Sequence, residues 1–223
     1  MGRLIKFLAC ASISALLATP ALAFRSGPPA GFNGSTASFG SSCMQCHGAG
    51  AGAGSVQILG FPASYLPSTN YDLTVRIADA TKLGAGFQLS VEDASGEHVG
   101  ALSLLDATNT QFNTGNVWVN HTTSGVNNSV TNWAANGNAA NFMVRWTSPA
   151  TDEGPVTAWA AGNAINNNFG SGGDTIYLTS TTANFMEMVP TVSQWGLAIL
   201  AMLVLTAGSL MIGRRDLAPV SNR

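Results

Sequence analysis

Alternation of apolar and polar residues is the feature that most limits the folds open to this chain. Residues 71–77, 87–91, 117–121, 142–146 and 156–160 place an apolar side chain at nearly every second position. Because successive side chains of a β-strand point to opposite faces, a period of two predicts strands with one buried face. Shorter candidate strands lie at 56–59, 98–104 and 175–178.

Turn-forming residues separate the predicted strands. Gly, Ser, Thr or Pro cluster at 95–96, 114–115, 148–149 and 170–173, and such residues favour tight turns. Seven or eight short antiparallel strands joined by polar loops predict an all-β fold, an antiparallel β-sandwich over residues 56–183. We predict no helix apart from those in the two terminal segments.

The N-terminus has the pattern of a secretory signal. Arg3 and Lys6 precede an apolar stretch at 8–17, and an Ala-x-Ala cleavage pattern ends at Ala23. This pattern predicts a signal peptide over residues 1–23 that is recognised by export machinery and removed. The alternative is an uncleaved membrane anchor, which the short apolar stretch disfavours.

A second apolar segment lies near the C-terminus. Residues 195–212 carry no charge, and 18 residues of helix at 1.5 Å per residue extend about 27 Å, enough for a bilayer core. Arg214 and Arg215 follow directly. The positive-inside rule then predicts one transmembrane helix with a basic cytoplasmic tail at 213–223, and Trp195 at the outer interface.

Charge between these terminal segments is sparse and negative. Residues 24–188 contain four basic and ten acidic side chains, which gives a formal charge of −6. An acidic domain is a poor partner for nucleic acid or an anionic membrane. About 165 residues remain, which is enough for one domain with a hydrophobic core.

Cys43-Met44-Gln45-Cys46-His47 has the spacing of a c-type haem attachment motif. Two thiols at this spacing can bond the two vinyl groups of one porphyrin, and the following imidazole can bind the iron as proximal ligand. Cys43 and Cys46 are the only cysteines outside the predicted signal peptide. The motif predicts one covalent haem c, attached after export by a cytochrome c maturation system.

The segment that holds this motif has little pattern of its own. Residues 24–55 are rich in Gly, Ala and Ser and show no apolar periodicity, so we expect them to need an organising group such as haem. Two alternatives stay open for the motif. Cys43 and Cys46 would form a disulfide in an oxidising compartment, or zinc would bind with a fourth ligand from elsewhere.

His121 is the candidate distal ligand of a six-coordinate haem. It shares a strand face with Val117 and Val119, so its side chain is expected to point inward. The alternative is a core histidine that is satisfied by hydrogen bonds. His98 and Met143 are weaker candidates, because His98 follows a turn and Met143 alternates away from the apolar face.

No catalytic constellation is recognisable, and we expect the protein not to be an enzyme. No serine lies in a Gly-x-Ser-x-Gly elbow, and the glycines at 170–173 are not followed by a phosphate-loop lysine. Two functions remain. One is a monohaem cytochrome-like protein that transfers electrons to an unknown redox partner or senses redox state. The other is a surface module for adhesion or matrix binding, with Cys43 and Cys46 as a structural disulfide.

The C-terminal segment resembles the IPTL-CTERM sorting signal of Gram-negative bacteria. Residues 184–194 form a linker and the start of this motif, with Val189, Val192 and Gln194 as mild departures from its usual residues. The resemblance implies an exosortase-type protease as partner. Export would leave the protein at the inner membrane facing the periplasm, either permanently or until cleavage moves it to the surface. The matching residues are Pro190, Thr191, Trp195, Gly196, Arg214 and Arg215.

A second resemblance covers about residues 43–180. The segments 71–75, 86–89, 119–122 and 146–156 resemble, in this order, the Reeler-like domain of bacterial surface proteins, the choice-of-anchor V family. This implies a β-sandwich preceded by a Cys-x-x-Cys-His segment. Eukaryotic Reeler domains carry disulfides, and this chain has no further cysteine for one. The resemblance implies a fold and leaves the function open.

Overall fold

A computed structural model describes residues 24–47, 52–187 and 194–215 of the chain, with side chains over 195–211 in the last stretch. The predicted signal peptide at 1–23 lies outside the described residues. So do Pro190 and Thr191 of the sorting motif and most of the predicted cytoplasmic tail.

The described residues form ten β-strands and three α-helices. In chain order these are α1 (Met44–His47), β1 (Ser55–Leu59), β2 (Ser64–Tyr65), β3 (Asn70–Ala78), β4 (Gly84–Glu92), β5 (Ala101–Leu104), β6 (Thr110–Phe112), β7 (Val119–His121), α2 (Thr123–Asn132), β8 (Ala139–Thr147), β9 (Val156–Ile165), β10 (Thr175–Phe185) and α3 (Gln194–Arg215).

The strands build two sheets. The first has four strands in the order β1-β3-β8-β5, and the second has six in the order β2-β10-β9-β4-β7-β6. Side chains of both sheets share one buried core, in which the rings of Phe87 and Phe142 stack at 4.5 Å between centroids. The mostly β fold is therefore confirmed. The short β2 pairs parallel with β10, so the sheets are not purely antiparallel as predicted.

Alternation located the long strands well. Leu73, Val75 and Ile77 of β3 are fully buried, and the intervening side chains are not. The strand predicted at 117–121 is shorter, because residues Thr114–Asn116 form a 3₁₀ turn through a left-handed Gly115.

The prediction of no internal helix was wrong, because α2 lies between β7 and β8. The Thr122 hydroxyl caps it by accepting the N–H of Gly125 at 2.9 Å, as N-cap residues do. Within α2 only Gly125, Val126 and Ser129 are buried. Because α2 buries so few apolar side chains, its sequence lacks the helical period of apolar residues that would have predicted it.

Strand β4 is buried on both faces. Gln88, Ser90 and Glu92, which alternation places on the polar outer face, are 0% exposed. Residues 24–47 cover this face: Asn33 Nδ2 donates to Ser90 Oγ at 2.7 Å, and the N–H of Ala37 donates to Glu92 Oε2 at 2.9 Å. The N-terminal segment is therefore organised by buried side chains of the sheet as well as by its own turns.

The chain divides into two compact units, one ending at Met186 and one beginning at Glu187. The second contains α3, so the predicted C-terminal helix forms. Within the three described stretches, however, no helix combines the length and apolar character that crossing a membrane requires. The predicted transmembrane helix at 195–212 is thus not supported.

Candidate functional site

A cavity that is open to solvent lies on the outer face of the six-stranded sheet. The N-terminal segment, strands β4, β7 and β9 and the loop at 166–174 form its walls. The apolar lining comes from Phe24, Pro28, Pro29, Phe32, Val126, Ile165 and Phe169.

Helix α1 brings the motif residues to this cavity. The N–H groups of Cys46 and His47 both donate to the carbonyl of Cys43, at 3.2 and 3.0 Å, which closes a single helical turn. Cys43, Cys46 and His47 all line the cavity. Cys43 also packs with Ala161 and Ile176 on the outer face of the sheet, and this contact anchors the turn.

Both motif cysteines are free thiols. Cys43 lies 3.4 Å from the Phe32 carbonyl and donates to it, and burial raises the pKa of this thiol to about 12. In the structure, no bond joins the sulfur atoms of Cys43 and Cys46.

His47 is held by an acidic partner. Its Nδ1 lies 2.8 Å from Oδ2 of Asp174, which directly precedes β10. A carboxylate in its ionised form can only accept, so opposite it a neutral His47 ring would carry its proton on Nδ1 and its lone pair on Nε2. The Asn163 amide nitrogen lies 3.2 and 3.3 Å from the two ring nitrogens. Asn163 Oδ1 is buried and has no hydrogen-bond partner among the described residues.

His121 lines the same cavity and is buried. Its Nδ1 accepts the N–H of Phe87 at 2.9 Å, and Nε2 lies 3.3 Å from the Phe24 carbonyl. Burial lowers the pKa of His121, so the neutral ring is favoured. Gly86 makes room for this ring, because a Cβ at position 86 would lie 2.5 Å from His121 Cε1.

Arg25 supplies positive charge to the cavity lining. Its guanidinium donates to Asn127 Oδ1 at 2.6 Å and to Asn167 Oδ1 at 3.3 Å, and it lies 4.9 Å from the centre of the Phe169 ring. These partners are neutral, and among the described residues Arg25 forms no ion pair. Its charge is therefore available to an anion.

Four predicted residues meet in this cavity, namely Cys43, Cys46, His47 and His121. Met143 and His98 do not line it. Met143 lies on β8 of the other sheet. Both ring nitrogens of His98 are buried, and its ring meets Trp118 edge to face.

Sequence reasoning missed three residues of the site: Arg25, Asn163 and Asp174 as the partner of His47. Asp174 and His47 are 127 positions apart in the chain. Their contact depends on how β9 pairs with β10 and on the path of the N-terminal segment. No local pattern reports either feature.

A metal held only by protein ligands has no preformed site in the part of the chain that the structure describes. There, no group of three or more His, Cys, Asp or Glu side chains is arranged to hold a metal ion. This gives the zinc alternative no support. It leaves haem attachment open, because porphyrin nitrogens supply four of the iron's ligands.

Comparison with known proteins identifies the C-terminal segment. Residues 189–215 carry the IPTL-CTERM motif. The motif implies export, processing by exosortase-type machinery and sorting to the surface. Anchoring in the inner membrane does not follow from it. Comparison with curated proteins gives no match.

Solved structures similar to this chain include two of reeler domains. The human F-spondin reeler domain is 20% identical, with 62% of this chain and 92% of that chain covered and a TM-score of 0.43. A structure described as the Reelin-N domain of F-spondin is also 20% identical, with 62% and 90% covered and a TM-score of 0.44. A type II cohesin domain from the cellulosome of Acetivibrio cellulolyticus is 9% identical, with 59% and 95% covered and a TM-score of 0.32.

Proposed function

We propose that this chain is a surface-sorted monohaem protein of the c type. Cys43 and Cys46 would form the two thioether bonds, and His47 would be the proximal ligand. Bound haem supplies one-electron exchange at iron, so the protein transfers electrons or senses redox state and is not an enzyme. One observation carries this proposal: the three motif residues and His121 line a single, largely apolar cavity.

The lining of the cavity fits a porphyrin in two respects. Aromatic and aliphatic side chains, among them Phe32, Ile165 and Phe169, provide apolar surface for a flat macrocycle. The Arg25 guanidinium, free of any acidic partner among the described residues, can pair with haem carboxylates. The site thus offers apolar contact, cationic charge and covalent attachment together.

His121 is the candidate second axial ligand. When His121 Nδ1 accepts the N–H of Phe87, its Nε2 carries the proton and faces the Phe24 carbonyl. The Phe87 carbonyl also lies 3.2 Å from Nδ1, so the other tautomer has a partner too. A shift of the proton to Nδ1 would leave the Nε2 lone pair free for a metal.

The test is an intact mass and an absorption spectrum of the full chain, exported from a host with a cytochrome c maturation system. We expect a mass increase of one haem and a sharp Soret band. Replacing both Cys43 and Cys46 with Ala should abolish covalent haem, and His47→Ala should change the Soret band. His98→Ala is the matched control and should leave both unchanged. Wild-type protein without added mass contradicts the proposal.

A second candidate is a non-enzymatic surface module for adhesion or matrix binding. The hydrogen bonds from residues 24–47 to Ser90 and Glu92 favour it, because the protein's own side chains hold this segment in place. Such a protein would show no Soret band after export with the maturation system. It would still be released or displayed through its IPTL-CTERM motif.

A further inference from the structure

Asp174 is a buried carboxylate with a specific set of partners. Its side chain is 2% exposed. Oδ2 lies 2.8 Å from His47 Nδ1, and Oδ1 accepts the N–H of Asn166 at 3.0 Å. The Asn163 amide nitrogen adds a longer contact of 3.4 Å to Oδ2. Among the described residues, His47 is the only basic side chain with a nitrogen within 4 Å of the Asp174 carboxylate.

This arrangement fixes the orientation of the His47 ring. A buried carboxylate without a cationic partner takes the strongest donor within reach, and here that donor is Nδ1–H. The carboxylate cannot donate in return, so a neutral ring keeps its lone pair on Nε2, which the Asn163 amide nitrogen approaches to 3.3 Å. Asn166 and the start of β10 hold Asp174 in turn, so the position of the ring depends on the sheet.

We propose that Asp174 is a positioning residue. It orients His47 and lowers the reduction potential of the haem iron that His47 binds. This inference rests on the proposed function. A carboxylate that accepts Nδ1–H increases the electron donation of the imidazole through Nε2. Stronger donation stabilises the oxidised iron more than the reduced iron, so the potential falls.

The first experiment is a redox titration of the haem-loaded full chain. Asp174→Asn keeps the size of the side chain and one acceptor oxygen but removes the charge, and Asp174→Ala removes both. We expect both variants to keep one covalent haem and to have a higher reduction potential, with Ala raising it more. Asp72→Asn is the matched control, because Asp72 is an exposed partner of Arg145 in the other sheet. Its potential should equal that of wild type.

A second experiment needs no haem. Nitrogen-15 NMR of the full chain made without the maturation system reports which ring nitrogen of His47 is protonated. We expect the Nδ1–H tautomer in wild type and a loss of that preference in Asp174→Ala. If Asp174→Ala does not fold, the reduction potential and the His47 tautomer of Asp174→Asn test the proposal.

The two proposals fail in different ways. Haem-loaded Asp174 variants with an unchanged potential overturn the role of Asp174 and leave the proposed function standing. A wild-type Nε2–H tautomer of His47 also overturns that role. Wild-type protein that acquires no haem overturns the proposed function instead.

Discussion

Gly86 controls the space next to His121. A Cβ at this position would lie 2.5 Å from His121 Cε1 and 2.6 Å from Nδ1, closer than side chains approach without a shift of one partner. The His121 ring cannot retreat easily, because Nδ1 is tied to the backbone of Phe87. Gly86 is therefore needed to make room for the buried imidazole of His121.

We predict that Gly86→Ala displaces the His121 ring. Overpacking of this kind costs about 1–3 kcal/mol, which thermal or urea unfolding would measure. In the haem-loaded protein, the low-spin absorption spectrum should change as it does in His121→Ala. Gly172→Ala is the control, since nothing lies within 4 Å of a Cβ there. An unchanged spectrum in both Gly86→Ala and His121→Ala rules out His121 as a ligand.

At the level of single residues, the sequence predicted what is local. Cys43, Cys46 and His47 lie in one helical turn, so the sequence of five residues was enough to identify them as a candidate site. Alternation predicted that His121 is buried, as it is, but its ring lies in the cavity on the outer face of the sheet and not in the core that contains Val119. Arg25, Asn163 and Asp174 come from three distant segments, and only the folded chain brings them to one cavity.

Among the strands, β4 shows where alternation stops being informative. Its apolar and polar residues alternate as in a strand with one wet face, yet every residue is buried. The covering layer is residues 24–47, a segment without apolar periodicity. Hydrogen bonds to Gln88, Ser90 and Glu92 hold this layer in place. Its sequence therefore shows only scattered polar residues, as a solvent-exposed segment would.

We predict that Glu92 secures this covering layer. Glu92 Oε1 accepts from the Ser90 hydroxyl at 2.6 Å, and Oε2 accepts from the Ala37 N–H. Glu92→Ala leaves these buried donors without an acceptor, which costs about 1–3 kcal/mol. The free energy of unfolding should fall by that amount, and amide hydrogen exchange at residues 32–42 should become faster.

The control for this prediction is Gln57→Ala, which removes an exposed side chain from β1 in the other sheet. Its unfolding free energy should stay close to wild type. Equal hydrogen exchange at residues 32–42 in Glu92→Ala and wild type would show that the turns of the segment hold it without Glu92.

For the whole molecule, folding and sorting depend on different parts of the chain. The unit that ends at Met186 contains both sheets and the cavity. The IPTL-CTERM motif begins at residue 189, after the last strand has ended at Phe185. The first unit contains the Cys43-Met44-Gln45-Cys46-His47 motif, and the second contains the sorting signal.

We predict that a chain ending at Met188 folds and acquires haem but is not sorted. It retains every described residue of the cavity and lacks the whole of the matched motif. Fractionation of cells that contain an exosortase should find wild type processed and at the surface or in the medium. The truncated chain should stay in the periplasm with the same Soret band and melting temperature. A full-length chain with both Pro190 and Thr191 replaced by Ala is the matched variant, and it should remain unprocessed. Normal surface delivery of either chain would mean that the address lies in the β-sandwich itself.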